Sequence, residues 1–332
     1  MRPIIALFAL TAFAVPAGIA YADDAPPVIY SHHWSLPGSA NGAVRLDLDT
    51  QDVQMRVVPG HTVKVAITIR GDADDKQELI KRYEPTVKSE GNDIVIAAPH
   101  HRHSWHWFFS DDSRALVEVA LPAGMAVQFK TDTGDFNFDG ASDRAPIDGH
   151  TDTGDLTIHS AAHRLRLNTD TGDIRVTLSE PAEAVSIGAD TGDIHFNGNS
   201  RRLKIKTDTG DIAASGTFGD ADLGTDTGDI DVRSLRGSLK ARTDTGDVTA
   251  RWEQVTPGTH LEVDSDSGDV TAILPADAHL AGIVSTEGGT LDSDFAGSFN
   301  RNHTRLRLSG STGAVAVRIE TDGGDVNLRK RG

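Results

Sequence analysis

Residues 131–138 read TDTGDFNF, and the first five letters return down the chain as TDTGDL, TDTGDI and TDTGDV. Taken alone, Asp-Thr-Gly is the tripeptide around the catalytic carboxylate of aspartic proteases, where two such aspartates share a proton. Here it recurs around Gly134, Gly154, Gly172, Gly192, Gly210, Gly228 and Gly246, at spacings of 20, 18, 20, 18, 18 and 18 residues. Six copies are TDTGD and one, at 189–193, is ADTGD. A catalytic pair is singular and faces across a cleft, so a motif repeated at a fixed period marks a solenoid or array instead. Weaker copies continue as SDSGDV around Gly268, TEGGTL around Gly289, GSTGAV around Gly313 and TDGGDV around Gly324, and LDTQDV around Gln51 resembles an earlier one.

Both flanks of each corner alternate apolar and polar residues. Val127/Phe129, Leu165/Leu167, Val185/Ile187, Leu203/Ile205 and Leu261/Val263 precede it. Phe136/Phe138, Leu156/Ile158, Ile174/Val176/Leu178, Ile194/Phe196, Ile230/Val232 and Val270/Ala272 follow it. A period of two over four to six residues predicts half-buried strands. The unit is therefore strand, TDTGD corner, strand and a second, variable corner such as SEPAEA or NGNSRR. The predicted fold is all-β: a β-solenoid of stacked two-strand rungs behind a β-rich N-terminal cap, right-handed by the crossover rule. The rival with a similar sequence pattern is a long antiparallel meander.

Each corner residue has a structural use. The first Thr continues the inward register and can hydrogen-bond a stacked neighbour. The first Asp can close an Asx-turn, the glycine supplies a positive φ, and the second Asp can cap corner N–H groups. Stacking then sets two columns of carboxylates in line, Asp132, Asp152, Asp170, Asp190, Asp208, Asp226 and Asp244 beside Asp135, Asp155, Asp173, Asp193, Asp211, Asp229 and Asp247. Neighbours one rung apart repel by ~0.9 kcal/mol even in water. Backbone donors, the outward Lys130, Lys206 and Arg242, or a row of Ca²⁺ ions held by these fourteen aspartates would offset that repulsion.

The first residues, MRPIIALFALTAFAVPAGIAYADD, carry one cation, an apolar run and Ala20/Ala22 before a cleavage site. This is the pattern of a signal peptide over 1–22, which predicts a secreted product, periplasmic or extracellular, with no membrane-spanning segment after cleavage. There is no cysteine, so burial and backbone pairing must stabilise the fold without disulfides. The net charge of −17 disfavours nucleic acid as a partner.

The division expected is a cap over 23–130 and a repeat solenoid over 131–332. Within the cap, DADDKQELIKRY (72–83) predicts a helix with Leu79, Ile80 and Tyr83 on one side, stopped by Pro85. PHHRHSWHWFFSDD (99–112) gathers His100, His101, His103, His106, Trp105, Trp107, Phe108 and Phe109. It suits a hairpin loop folded over the cap, with contact to a partner or membrane, or transition-metal binding, as the other readings. Outward Arg164, Arg166, Lys204, Lys240, Arg305 and Arg307 are either charge pairs across rungs or a flat surface for acidic glycans. The closing DVNLRKRG predicts a basic, poorly stacking end.

A leader, a cap with an aromatic loop, VALPAG before the first corner and a repeated T-x-[ST]-G-D-[IVL], from about Val44 to Leu328, together resemble the bacterial DUF4097 family of "putative adhesins". The resemblance implies a stacked β-solenoid and a surface-binding role, and it carries no catalytic residues. The expectation is a non-enzymatic envelope or surface protein with an unknown cell-surface ligand, a glycan among the options. The alternatives are a calcium-stabilised Asp-corner module and a polysaccharide-active β-helix enzyme. The enzyme would need a singular cluster of acids and bases, and the acids here are repeated.

Overall fold

The computed structural model describes residues 26–99, 113–310 and 313–331. Its repeating unit is seen in Arg164–Thr171, which runs into the Gly172 corner, and Ile174–Leu178, which runs out of it. In both strands every second residue is buried, with Leu167 and Ile174 fully so. Full burial of one such side chain contributes roughly 1.5–3 kcal/mol over leaving it exposed. Strands entering the corners form one sheet and strands leaving them form the other, with 15 and 14 strands respectively. We call these the entry sheet and the exit sheet.

Successive rungs pair in parallel with like residues aligned: Leu165 with Val185 and Leu167 with Ile187 in the entry sheet, Ile174 with Ile194 and Val176 with Phe196 in the exit sheet. The parallel pairing makes this a solenoid and not a meander. Both inner faces close on one apolar core. Packing in the first turns depends on a missing side chain. Phe129 lies flat on Phe136 across the core, with ring centroids 3.6 Å apart, and a Cβ on Gly149 would sit 2.0 Å from the Phe129 ring.

The stack begins before the first TDTGD. Ala43–Leu48 and Asp52–Val57 pair in parallel with the strands on either side of the Gly134 corner, so LDTQDV is a rung with Gln51 in the place of glycine. Gln51 is fully buried; its Oε1 accepts the N–H groups of Asp49 and Thr50, and its Nε2 donates to the Tyr83 carbonyl. A further parallel layer, Asp93–Ala97 and Arg114–Leu121, lies beyond it. The division expected at 130/131 falls inside the strand Ala126–Thr133. Antiparallel strands then cover this end: Thr86–Glu90 on the entry sheet, Thr62–Arg70 and Val28–Pro37 on the exit sheet.

The predicted helix is present as Lys76–Tyr83, with Asp75 at its N-cap and Leu79 and Tyr83 buried. Asp72, before the helix, accepts the N–H of Asp74. Glu84 is extended, as a residue before proline should be. The leader 1–22 and the loop residues 100–109 lie outside the described residues.

The far end departs from sequence order. The strands around Gly324, Val315–Thr321 and Val326–Arg331, stack directly on those around Gly268. The strands around Gly289, Leu280–Thr286 and Leu291–Ser293, stack outside them although they come earlier in the chain. The expectation that DVNLRKRG closes the stack is therefore corrected: Val326–Arg331 is an interior strand of the exit sheet. The GSTGAV copy is corrected as well. Gly313 lies in the turn before Val315 and caps no rung. The end is closed by the three-residue strand Leu291–Ser293 and, on the entry sheet, by antiparallel Arg305–Ser309 and Ser298–Phe299. Short or reversed edge strands of this kind discourage further stacking.

Candidate functional site

The corners are held by three sets of rung-to-rung bonds. First, inward Thr hydroxyls donate to the corner glycine carbonyl of the preceding rung at several corners, as Thr225 does to Gly210, Thr243 to Gly228 and Thr321 to Gly268, each at 3.1 Å, whereas Thr151 bonds Thr153 O of its own strand. Second, the corner glycine N–H donates to the next rung, as Gly172 N does to Thr191 O at 2.9 Å. Glycine is required by contact as well as by conformation. Gly172 has φ of +145°, and a Cβ there would lie 2.2 Å from the Gly154 carbonyl oxygen.

The third set concerns the second Asp column. The Oδ1 atom of each carboxylate accepts the backbone N–H of the corresponding Asp one rung on. The ladder runs from Asp52 to Asp135, Asp155, Asp173, Asp193, Asp211, Asp229, Asp247, Asp269 and Asp325, and ends on Thr290 N, with distances of 2.7–3.0 Å. Charge-assisted bonds of this kind offset the repulsion along the column. At Asp325 the bonds from the Thr290 backbone and hydroxyl hold the carboxyl below its usual range. At Asp52, burial pushes the carboxyl up, against the bond from Asp135.

The ladder explains the inverted rung order. Thr290 receives the last carboxylate and has none to pass on, which suits its corner to the terminal place it holds. The Gly324 corner carries Asp325 and can stand inside the stack.

The first Asp column is different. Among the described residues, Asp170, Asp190, Asp208 and Asp226 form no side-chain hydrogen bond, so the expected Asx-turns are not made. Asp152 bonds His150 at 3.0 Å. Of the three cations expected to neutralise the columns, Arg242 pairs with Asp264 of the next rung, whose hydrogen bond raises the guanidinium further. As calcium ligands, the second-column carboxylates form a single file, each already committed to a backbone donor. Ca²⁺ takes 6–8 oxygens around one point. Among the described residues no group of three or more His, Asp or Glu side chains is placed to hold a metal ion.

The outward face of the entry sheet is a lattice of ion pairs. Lys204, Asp222, Lys240, Glu262 and Arg318 align from rung to rung with alternating sign. Lys240 reaches Glu262 at 3.2 Å, and Arg164 and Arg202 reach Glu183 at 3.3 and 3.5 Å. Charge pairing thus accounts for Arg164 and Lys240, while Lys204 stands in register with Asp222 of the next rung and Arg166 with Asp148 of the rung before. Arg305 and Arg307 stand apart on the antiparallel closing strand.

The outward face of the exit sheet is unlike it. Its two rows read Gln54, Asn137, Thr157, Arg175, His195, Ala213, Asp231 and Arg56, Asp139, His159, Thr177, Asn197, Ser215, Arg233. Amides, hydroxyls and imidazoles dominate, and small side chains leave two shallow grooves. The first, of about 280 Å³, lies among Arg56, Glu118, Asn137, Asp139 and His159 over Ala120. The second, of about 380 Å³, lies among Arg175, His195, Asn197, Asp231 and Arg233 over Ala213 and Ser215. Asp139 meets His159 at 3.3 Å, and Asp231 grips Arg233, raising that guanidinium by its hydrogen bonds. Sequence reasoning missed this face. Its signal was present in the polar alternate positions of the exit strands, whose residues change from rung to rung while the corners repeat.

Among the described residues, no helix is long and apolar enough to cross a membrane. Similar solved structures include a "putative adhesin" from Bacteroides fragilis, 11% identical over 73% of this chain and 97% of that one, with a TM-score of 0.42. A "putative lipid binding protein" from Parabacteroides distasonis is 11% identical over 73% and 96%, with a TM-score of 0.45. A "putative cell adhesion protein" from Clostridium sporogenes is 11% identical over 91% and 100%, with a TM-score of 0.28. No curated protein matches the chain. The Toastrack DUF4097 family model matches residues 44–329, from the first rung to the last interior strand. The chain belongs to the Toastrack DUF4097 family.

Proposed function

We propose that this protein is a non-enzymatic, exported scaffold that binds a component of the cell envelope or surface through the outward face of its exit sheet. The observation that carries this is the contrast between the two faces. On the entry face acids and cations alternate along the stack and pair across rungs at Arg164 and Arg202 with Glu183, Lys240 with Glu262 and Arg242 with Asp264. The exit face presents amides, hydroxyls and an imidazole, Asn137, Thr157, Thr177, His195 and Asn197, around two grooves on a rigid support. The absence of an enzymatic role rests on the acids: they recur at every corner, and the second column spends its Oδ1 atoms on backbone donors. The leader-like N-terminus supports export to the periplasm or beyond.

Binding to washed envelope fractions tests the proposal. Arg175→Ala with Asn197→Ala on the exit face should weaken retention, while Lys204→Ala with Asp222→Ala on the entry face should leave it unchanged. Equal retention by both variants would refute the assignment of the face.

A further inference from the structure

The two grooves are contiguous. The first ends at Thr157 and His159, and the second begins at Arg175 and Thr177 on the adjacent strand, paired residue for residue with it. From the Asp139 rung to the Asn197 rung is three rung steps, roughly 14 Å at the spacing of paired strands. A linear ligand lying along the solenoid axis would pass from one groove to the other over the paired residues Thr157 and Arg175, and His159 and Thr177.

The lining chemistry selects the ligand. Each groove holds arginine, histidine and asparagine together with carboxylate: Glu118 and Asp139 in the first, Asp231 in the second. A polyanion is disfavoured, because the first groove sets two carboxylates against Arg56. An acyl chain is disfavoured, because Met55, Phe138 and Phe196 beneath the floors are buried in the core and the shallow grooves offer no enclosed apolar pocket. What such a surface satisfies is an uncharged molecule carrying many groups that both donate and accept hydrogen bonds. Hydroxyls do both, whereas Arg only donates and Asp and Glu only accept. A polymer of hydroxylated units meets the second requirement, repetition along the axis.

We infer that the exit face binds an uncharged polysaccharide chain laid along the solenoid axis across both grooves. This rests on the exit face being the binding surface. Joining two weak subsites on one ligand raises affinity through effective concentration, and it does so only once the ligand spans both. Length dependence is therefore the signature.

The test is titration calorimetry of the full chain with glucose, mannose and N-acetylglucosamine oligomers of two, four, six and eight units, at low and high salt. In one of these series the octamer should bind at least tenfold more tightly than the dimer, and salt should change its affinity less than twofold. His159→Ala with Asn137→Ala, and separately Asn197→Ala with Ser215→Ala, should each return the octamer to the affinity of a short oligomer. All four positions are at the surface, and an unchanged melting temperature verifies that the variants are folded. Binding that does not depend on length, binding only to sulfated or uronic-acid polymers with steep salt dependence, or no binding to any oligomer would each overturn the inference. If the protein still binds envelopes through the exit face, such a result removes the polysaccharide and leaves the proposed face standing. If envelope binding is insensitive to the exit-face variants, both fall.

Discussion

The Oδ1 atom of Asp211 accepts the backbone N–H of Asp229 at 2.8 Å, one rung further on, while Asp208 of the same corner makes no side-chain hydrogen bond. The two aspartates of TDTGD therefore have unequal parts. Asp211→Ala should destabilise the protein by about 1 kcal/mol, the net worth of one hydrogen bond near the surface. Asp211→Asn keeps an acceptor and should cost less. Asp208→Ala should stay within about 0.5 kcal/mol of the parent. Urea midpoints at constant m-value measure this, and an equal loss at both positions would contradict the ladder.

If backbone donors offset the second column, the remaining repulsion is long-range and unspecific. Screening should then stabilise the protein. The Debye length falls from about 10 Å at 0.1 M to about 3 Å at 1 M salt. The melting temperature should rise with NaCl, and CaCl₂ at matched ionic strength should raise it equally. EDTA should have no effect. A calcium-specific rise reversed by EDTA would instead make the Asp corners ion ligands.

At the N-terminal end, Glu84 receives the Tyr30 hydroxyl and pairs with His32 Nδ1, both at 2.6 Å. Burial, with Glu84 adding to it, pushes the Tyr30 phenol up to about 12. Burial also acts to raise Glu84, but the bonds from His32 and Tyr30 outweigh it and leave the carboxyl below its usual range. The signs follow from linkage. A raised phenol contributes stability that is complete below pH 10 and is lost as the pH climbs towards 12. A lowered carboxyl contributes stability that is present above its unfolded value and is lost as the pH falls through its folded one. Tyr30→Phe should abolish the alkaline part, and Glu84→Gln should flatten the acid limb. The 295 nm absorbance of the parent should show one tyrosine ionising near 12. If Tyr30 ionises near 10, the bond to Glu84 is not made in solution.

Much of this architecture was legible in the residues. Alternation such as Leu165/Leu167 before a corner and Ile174/Val176 after it needs only local pattern, and an 18-residue period leaves little room for anything but a rung. The stacking role expected of the Thr hydroxyls is met at Thr225, Thr243 and Thr321, though not at Thr151, which bonds its own strand. What was hidden depends on which rung lies next to which. Asp211 and Asp208 are chemically identical until the partner rung supplies an N–H to one of them. The second exit-face groove arises where Ala213 falls beside His195 and Ser215 between Asn197 and Arg233, a juxtaposition across strands and not along the chain. The inverted final rungs could have been read from one residue, because TEGGTL has Thr290 where every other stacked corner has Asp.

That inversion makes a prediction that chain order would contradict. In the exit sheet Thr271 lies opposite Asn327, and Asn327 lies opposite Asp292. Were the rungs stacked in sequence order, Thr271 would neighbour Asp292 instead. Paired parallel strands are about 4.8 Å apart, inside the Cα separation a disulfide accepts, whereas two steps are well outside it. The protein has no cysteine, so engineered pairs report without background. Thr271→Cys with Asn327→Cys should oxidise readily to an intramolecular disulfide, as should Asn327→Cys with Asp292→Cys. Thr271→Cys with Asp292→Cys should remain reduced under the same conditions. All three substitutions lie on the outward row, so the core is undisturbed. Cross-linking of the third pair in preference to the first would mean that the chain stacks in sequence order, and that the carboxylate ladder passes from Asp269 to Thr290 and stops one corner short of Asp325.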